Sequence, residues 1–162
     1  MVAAATPNPV LHLGELLRAE TAKLREFIEL LKREQEFLKQ GNTDALLTLI
    51  DSKNVLAGQL ATLAQEREND LSRLSLPAGR AGMEAWAQRI GKDEARQAWQ
   101  TLLTLATEAR ELNVLNGKLI GLHMNHNQQA FAALMGASDR AMTYGPDGQQ
   151  QTSLGGRILG SA

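Results

Sequence analysis

A long run of helix-compatible sequence at residues 93–136 most constrains what this chain can fold into. At about 100° per residue around a helix, its apolar residues fall on two stripes. The first stripe runs the whole length and comprises Ala95, Ala98, Trp99, Leu102, Leu105, Ala106, Ala109, Ile120, Met124, Phe131 and Leu134. The second stripe occupies only the later half and comprises Leu112, Leu115, Leu119, Leu122 and Ala133. A surface helix needs one apolar stripe to face its core, so the second stripe requires a partner inside or outside the chain.

The composition favours helices throughout the 162 residues. Aromatic residues make up only 4% of the chain, and no strand-like alternation of β-branched residues occurs. We therefore predict an all-α fold, an elongated antiparallel bundle of three long helices plus one short helix, with a C-terminal tail.

Glycine, proline and asparagine mark the expected helix boundaries. Gly41 followed by Asn42 is typical of a helix C-terminus, and Thr43 is a favourable N-cap for the next helix. Residues 76–79, which include Pro77, interrupt the pattern again. We place helices at about 10–40, 43–73, 82–90 and 93–136, forming a bundle over residues 1–136, and a flexible tail at 137–162. Glu20 and Glu34 interrupt the leucine-rich seam of the first helix and are expected at its margin.

Charge and composition exclude several functions. The 17 basic and 18 acidic residues are scattered and give a net charge of −1, so no basic surface for nucleic acid is indicated. The chain has no cysteine, which excludes disulfides and thiolate metal sites. No run approaches the ~20 apolar residues that span a bilayer, and the N-terminus lacks the pattern of a signal peptide. We expect a soluble, intracellular protein.

No catalytic centre is evident in the sequence. His123 and His126 lie three residues apart and could share a helix face, but Met124, Asn125 and Asn127 around them are poor metal ligands. Solvent-exposed histidines are the simpler interpretation. The carboxylates are interspersed with Lys and Arg at helical spacing, which is typical of a solvated face. We expect no enzyme activity, no metal, no cofactor and no small-molecule substrate.

Three asparagines lie on or beside the continuous apolar stripe: Asn113, Asn116 and Asn127. Asparagine is unfavourable within helices and expensive to bury without a partner. These residues either fix helix register, as buried polar residues do in coiled coils, or offer hydrogen bonds to an incoming chain. Gly117 lies mid-helix, where glycine is unfavourable, and is expected to allow close approach of another backbone.

The same region resembles the FlgN-type flagellar export chaperones. The residues that carry this resemblance are Leu112, Asn113, Asn116, Gly117, Leu119, Asn127, Gln128, Gln129, Ala130 and Leu134, followed by Tyr144, Gly145, Asp147, Gly148, Gly155 and Gly156. The earlier helices agree in their leucine heptads and in Lys53. The resemblance implies a cytoplasmic, non-enzymatic type III export chaperone that binds C-terminal amphipathic segments of hook-associated (hook-filament junction) proteins, and it implies that Tyr144 contacts the export gate.

On this interpretation a client helix lies along the later half of the long helix. The candidate partner-binding residues are Asn113, Leu115, Asn116, Leu119, Leu122, Asn127, Phe131 and Leu134. The alternative is a structural coiled-coil module without a client, whose second stripe serves self-association.

Overall fold

The computed structural model describes residues 8–143, with side chains described up to residue 136. Four helices follow one another along the chain: α1 at Pro9–Gln40, α2 at Thr43–Arg73, α3 at Gly79–Ile90 and α4 at Asp93–Thr143. The prediction of an all-α fold with three long helices and one short helix is confirmed. Residues 144–162 of the predicted tail, including Tyr144, lie outside the described residues.

Local capping residues account for the helix ends. The Asn8 side chain accepts a 3.0 Å hydrogen bond from the Val10 N–H, with proline in the first turn, where a missing N–H is tolerated. Gly41 ends α1 in the left-handed conformation, with φ of 66°. Asn42, not the predicted Thr43, caps α2 by accepting a hydrogen bond from Ala45.

Two boundaries differ from the sequence prediction. Helix α3 begins at Gly79 rather than at residue 82, and α4 continues past Gly136 to Thr143. Gly136 does not stop α4, because a glycine permits a helix end without requiring one.

Ion pairs between α1 and α2 show that these helices are antiparallel. Early α1 pairs with late α2 through Glu20 and Arg67, and late α1 pairs with early α2 through Glu34 and Lys53. Both glutamates are buried, so the expectation that they lie at the margin of the seam is wrong. Each is tolerated there because a cation of α2 reaches it.

The apolar core is shared by all four helices. Its buried members are Leu13, Leu17, Leu24, Ile28, Leu31, Leu71, Met83, Trp86, Ala87, Ala95, Trp99, Leu102 and Ala109. Helix α3 closes one end, where the Trp86 indole donates a 3.3 Å hydrogen bond to the carbonyl oxygen of Val10. Gly82 is required there, because a Cβ at this position would lie 1.8 Å from the carbonyl oxygen of Pro77.

Helix α4 runs in the same direction as α1. Ala95, near its start, lines a cavity together with Leu17 of α1, whereas Glu108 pairs with Lys32 and Asn116 bonds to Glu34. The buried residues Ala95, Leu102, Ala109 and Asn116 repeat every seven positions. This spacing is the heptad of a helix that packs lengthwise against another helix.

The chain divides into two compact units, Met1–Ile120 and Gly121–Ala162. The core and all ion pairs described above belong to the first unit. Within residues 8–143, no helix combines the length and hydropathy that crossing a membrane would require.

Candidate functional site: the exposed apolar residues of α4

In the first unit, α4 leaves part of its second stripe uncovered. Leu115 is 46% exposed and Leu119 is half-buried, while the neighbouring Val114 and Ile120 are exposed. Leu112 is half-buried against the core. The leucines of this stripe are therefore not enclosed by the chain's own helices, and their exposed surface is available to a partner.

In the second unit, every described side chain at positions 121–135 is exposed. Leu122 and Phe131 are each 66% exposed, Leu134 is 70% exposed, and Asn127 is exposed as well. No Asp, Glu, Lys or Arg occurs between Leu119 and Ser138. An exposed helical segment that is rich in apolar residues and lacks charge is unusual for a free surface and typical of an interaction surface.

The three candidate asparagines occupy different environments. Asn113 and Asn127 are exposed, whereas Asn116 is only 1% exposed and forms its hydrogen bonds within the chain. Its Nδ2 donates at 2.8 Å to the carbonyl oxygen of Leu31 and at 2.8 Å to Oε2 of Glu34. Asn116 is thus placed inside the bundle and not on a partner surface, and we leave it out of the surface proposed below.

Glu34 connects Asn116 to the second helix. Both of its carboxylate oxygens lie 3.0 Å from Nζ of Lys53, so Asn116, Glu34 and Lys53 link α4, α1 and α2. In the sequence Lys53 is only part of the family resemblance, and this network is not predicted. The signal was available, because a carboxylate within an apolar seam requires a cation from a neighbouring helix.

Gly117 faces open space. A Cβ placed on it would meet no atom within 4 Å apart from its own helix backbone. Within the described residues no backbone approaches this glycine, so the close approach expected from the sequence stays a prediction.

A second feature of the first unit is an apolar cavity between α2 and α4. It has a volume of about 400 Å³, and its lining includes Leu60, Ala64, Leu103 and Ala106. At one end the Arg67 guanidinium lies 5.5 Å from the centre of the Trp99 ring, which is a cation–π distance.

Glu20 also borders this cavity, and its pKa is shifted. Arg67 Nε donates to Oε2 of Glu20 at 2.9 Å. Burial raises the pKa of Glu20 above its ordinary value, and the adjacent Arg67 offsets only part of this rise. The pair therefore stabilises contact between α1 and α2, but it retains a desolvation penalty.

Apolar exposure is not confined to α4. Leu47, Ile50 and Val55 of α2 are exposed as well. These residues provide matched controls for substitutions on α4, because they share the same chemistry and lie on another helix.

The histidines show no arrangement suited to a metal. His123 and His126 are both exposed. Within the part of the chain that the structure describes, no group of three or more His, Asp or Glu side chains could hold an ion. His12 lies elsewhere and bonds through Nδ1 to the buried carboxylate of Asp70.

The fold and this surface define a class of protein: an all-α bundle in which one long helix carries exposed apolar residues. Residues 12–152 match the FlgN protein family, so the chain belongs to the FlgN family. The resemblance seen in the sequence is thereby confirmed.

Individual relatives agree with this assignment. The chain is 31% identical over 153 residues to the flagella synthesis protein FlgN of Yersinia enterocolitica, a match that covers 90% of this chain and 97% of that protein. It is 29% identical to the protein of the same name from Salmonella typhimurium strain LT2, covering 87% and 91% of the two chains. The Proteus mirabilis protein of that name is 27% identical, with coverage of 88% and 92%. No solved structure matches the chain significantly.

Proposed function

We propose that this protein is a cytoplasmic flagellar export chaperone without enzyme activity. It binds the C-terminal amphipathic segment of a hook-filament junction protein, prevents its early assembly and delivers it to the export gate. Membership of the FlgN family and the flagella synthesis proteins among its relatives support this role. The observation that carries the proposal is the exposure of Leu115 and Leu122 on α4.

The chemistry of the exposed residues fits an amphipathic helix as the ligand. Leucine and phenylalanine side chains of α4 are partly exposed to water. Covering a fully exposed side chain of this kind contributes about 1.5–3 kcal/mol, so covering each of these contributes a fraction of that. The proposed surface comprises Leu115, Leu119, Leu122, Phe131 and Leu134, with Asn113 and Asn127 as exposed hydrogen-bonding groups. A client helix that binds here hides its own apolar face, which is the face it would use to polymerise.

The test is a pair of matched double variants. Leu115→Asp with Leu122→Asp places charge on exposed positions of α4, and Leu47→Asp with Val55→Asp does the same on α2. We avoid Leu119, since it is half-buried and an aspartate there would disturb packing. Calorimetry with the C-terminal segment of a junction protein should show a stoichiometric complex for the wild type and the α2 variant, and at least 100-fold weaker binding for the α4 variant.

Two results would oppose the proposal. Absence of binding by the wild-type protein to any junction-protein terminus would contradict the chaperone function. Undiminished binding by the α4 variant, with loss of binding in the α2 variant, would move the client site to α2.

A second candidate function is self-association without a client. The uncharged, exposed apolar segment at residues 121–135 favours it, because two copies could pair there without charge repulsion. Sedimentation at micromolar concentration separates the two. The chaperone proposal expects at most weak self-association, whereas a tight oligomer that blocks client binding would favour the structural module.

The role of Tyr144 follows from the family resemblance alone. We propose that it contacts the export gate. Tyr144→Ala is then expected to leave client affinity unchanged and to reduce client secretion in an export assay. Secretion at the wild-type level would remove this role from Tyr144.

A further inference from the structure

Between Ala109 and Ile120, two faces of α4 compete for the core. The face that packs on α1 buries Ala109 and Asn116, whereas on the adjoining face Leu115 is 46% exposed and Leu112 and Leu119 are only half-buried. Burial of leucine is favourable, and burial of asparagine is unfavourable unless its polar atoms are bonded. Hydrophobic burial alone would therefore turn this part of α4 so that the leucines faced α1.

The rotation needed is about a quarter of a turn. Neighbouring residues on a helix lie about 100° apart, so less than a third of a turn would replace Asn116 with Leu115 at the contact with α1. In the earlier turns Ala95, Leu102 and Ala109 hold this face toward the core, and after Ala109 the rotation needs an interaction that the leucines do not supply.

The hydrogen bonds of Asn116 are that interaction. Its Nδ2 donates to two acceptors on α1, the carbonyl oxygen of Leu31 and Oε2 of Glu34, each at 2.8 Å. Glu34 is itself held by Lys53 through both carboxylate oxygens. Oδ1 of Asn116 is buried and has no hydrogen-bond partner among the described residues. A buried amide with one polar atom left without a hydrogen bond is unfavourable for stability, so its presence here requires another explanation.

We infer that Asn116 is a positioning residue, whose bonds to α1 hold α4 in the rotation that leaves Leu115 and Leu119 free for a partner. Without these bonds, α4 turns and buries the leucines in its own core. The consequence for client binding rests on the function proposed above, whereas the rotation itself does not depend on any client.

Single cysteines report the rotation directly, because the chain contains no cysteine of its own. Leu115→Cys and Val114→Cys are labelled with a maleimide in the wild-type background and in the Asn116→Ala background. Val114 lies on the face of α4 away from α1, so the rotation that buries position 115 leaves position 114 exposed. We expect labelling at position 115 to slow at least tenfold in the Asn116→Ala background and labelling at position 114 to stay within twofold.

A second variant separates the effect of losing the hydrogen bonds from the effect of losing the fold. Asn116→Asp keeps the shape of the side chain but replaces the donor with an oxygen that faces the Glu34 carboxylate, so it should slow labelling at position 115 in the same way. Circular dichroism verifies that each variant is helical. Unchanged labelling at position 115 in the folded variants, or an equal change at positions 114 and 115, would overturn the inference.

Client affinity provides the link to function. If the wild-type protein binds a junction-protein terminus, Asn116→Ala should weaken that binding at least tenfold without any change to an exposed residue. Full affinity together with slowed labelling would contradict a role in binding while leaving the rotation established. Absence of wild-type binding would refute the proposed function alone.

Discussion

The two ends of the contact between α4 and α1 are built from different chemistry. Near its start, α4 buries Ala95, Trp99 and Leu102 in an apolar core that α3 completes with Trp86. At the other end the buried residue is Asn116, and its neighbour Leu115 is exposed. The first end buries apolar residues, as a folding core requires. The second end buries a polar side chain and leaves a leucine exposed. The difference fits the proposal that stability and partner binding belong to separate stretches of one helix.

The largest expected effect tests whether stability is concentrated at the first end. Trp86→Ala removes a side chain that is 2% exposed and should lower the free energy of unfolding by about 3–5 kcal/mol. Leu115→Ala, at an exposed position, should change it by about 0.5 kcal/mol or less. Urea denaturation followed by circular dichroism measures both. Equal losses of unfolding free energy in the two variants would contradict the proposed difference between the two ends of α4.

A smaller effect, of opposite sign, is expected at Gly117. Alanine there meets no neighbouring atom, so the gain in helix propensity should raise the free energy of unfolding by about 1 kcal/mol. If a client backbone approaches this glycine, the same variant binds its client more weakly. Gly82→Ala is the matched control at the α3 end, where the clash with Pro77 makes alanine destabilising. Stabilisation by both substitutions would contradict the contrast between open and packed positions.

The smallest expected effect concerns pH and Glu20. Because burial raises the pKa of Glu20 in the folded state, the folded protein binds this proton at a higher pH than the unfolded chain does. The resulting stability is fully present below the ordinary pKa of a glutamate and is lost as pH rises through the raised pKa. Glu20→Gln removes this dependence. The free energy of unfolding of the wild type relative to Glu20→Gln should fall as pH rises above 4.5, the ordinary pKa of a glutamate, as thermal denaturation at a series of pH values would show. A constant difference would contradict the raised pKa.

The sequence predicts the helices well because local signals define them. The heptad of α1 and the glycine at position 41 specify α1 and its end, and Pro77 separates α2 from α3. These signals depend only on neighbouring residues, so they can be recognised without knowledge of the fold. The continuation of α4 past Gly136 is the exception, since a glycine permits a helix end without requiring one.

The candidate surface is less predictable, because the rotation of α4 depends on another helix. Periodicity identifies two stripes but gives no reason for α1 to accept Asn116 in place of Leu115. That choice depends on Glu34, whose burial the sequence analysis did not predict. Glu34 in turn depends on Lys53 from a third helix. Interactions between three distant parts of the chain leave no local pattern.

The uncharged segment of α4 has a consequence for how fast a partner can associate. Electrostatic attraction accelerates the encounter of many protein pairs and makes it sensitive to ionic strength. The exposed residues at positions 121–135 include no Asp, Glu, Lys or Arg to exert such attraction. A partner that binds this segment gains no steering from it, so association should proceed at the ~10⁵–10⁶ M⁻¹s⁻¹ typical of unsteered pairs. Added salt would then leave that rate nearly unchanged.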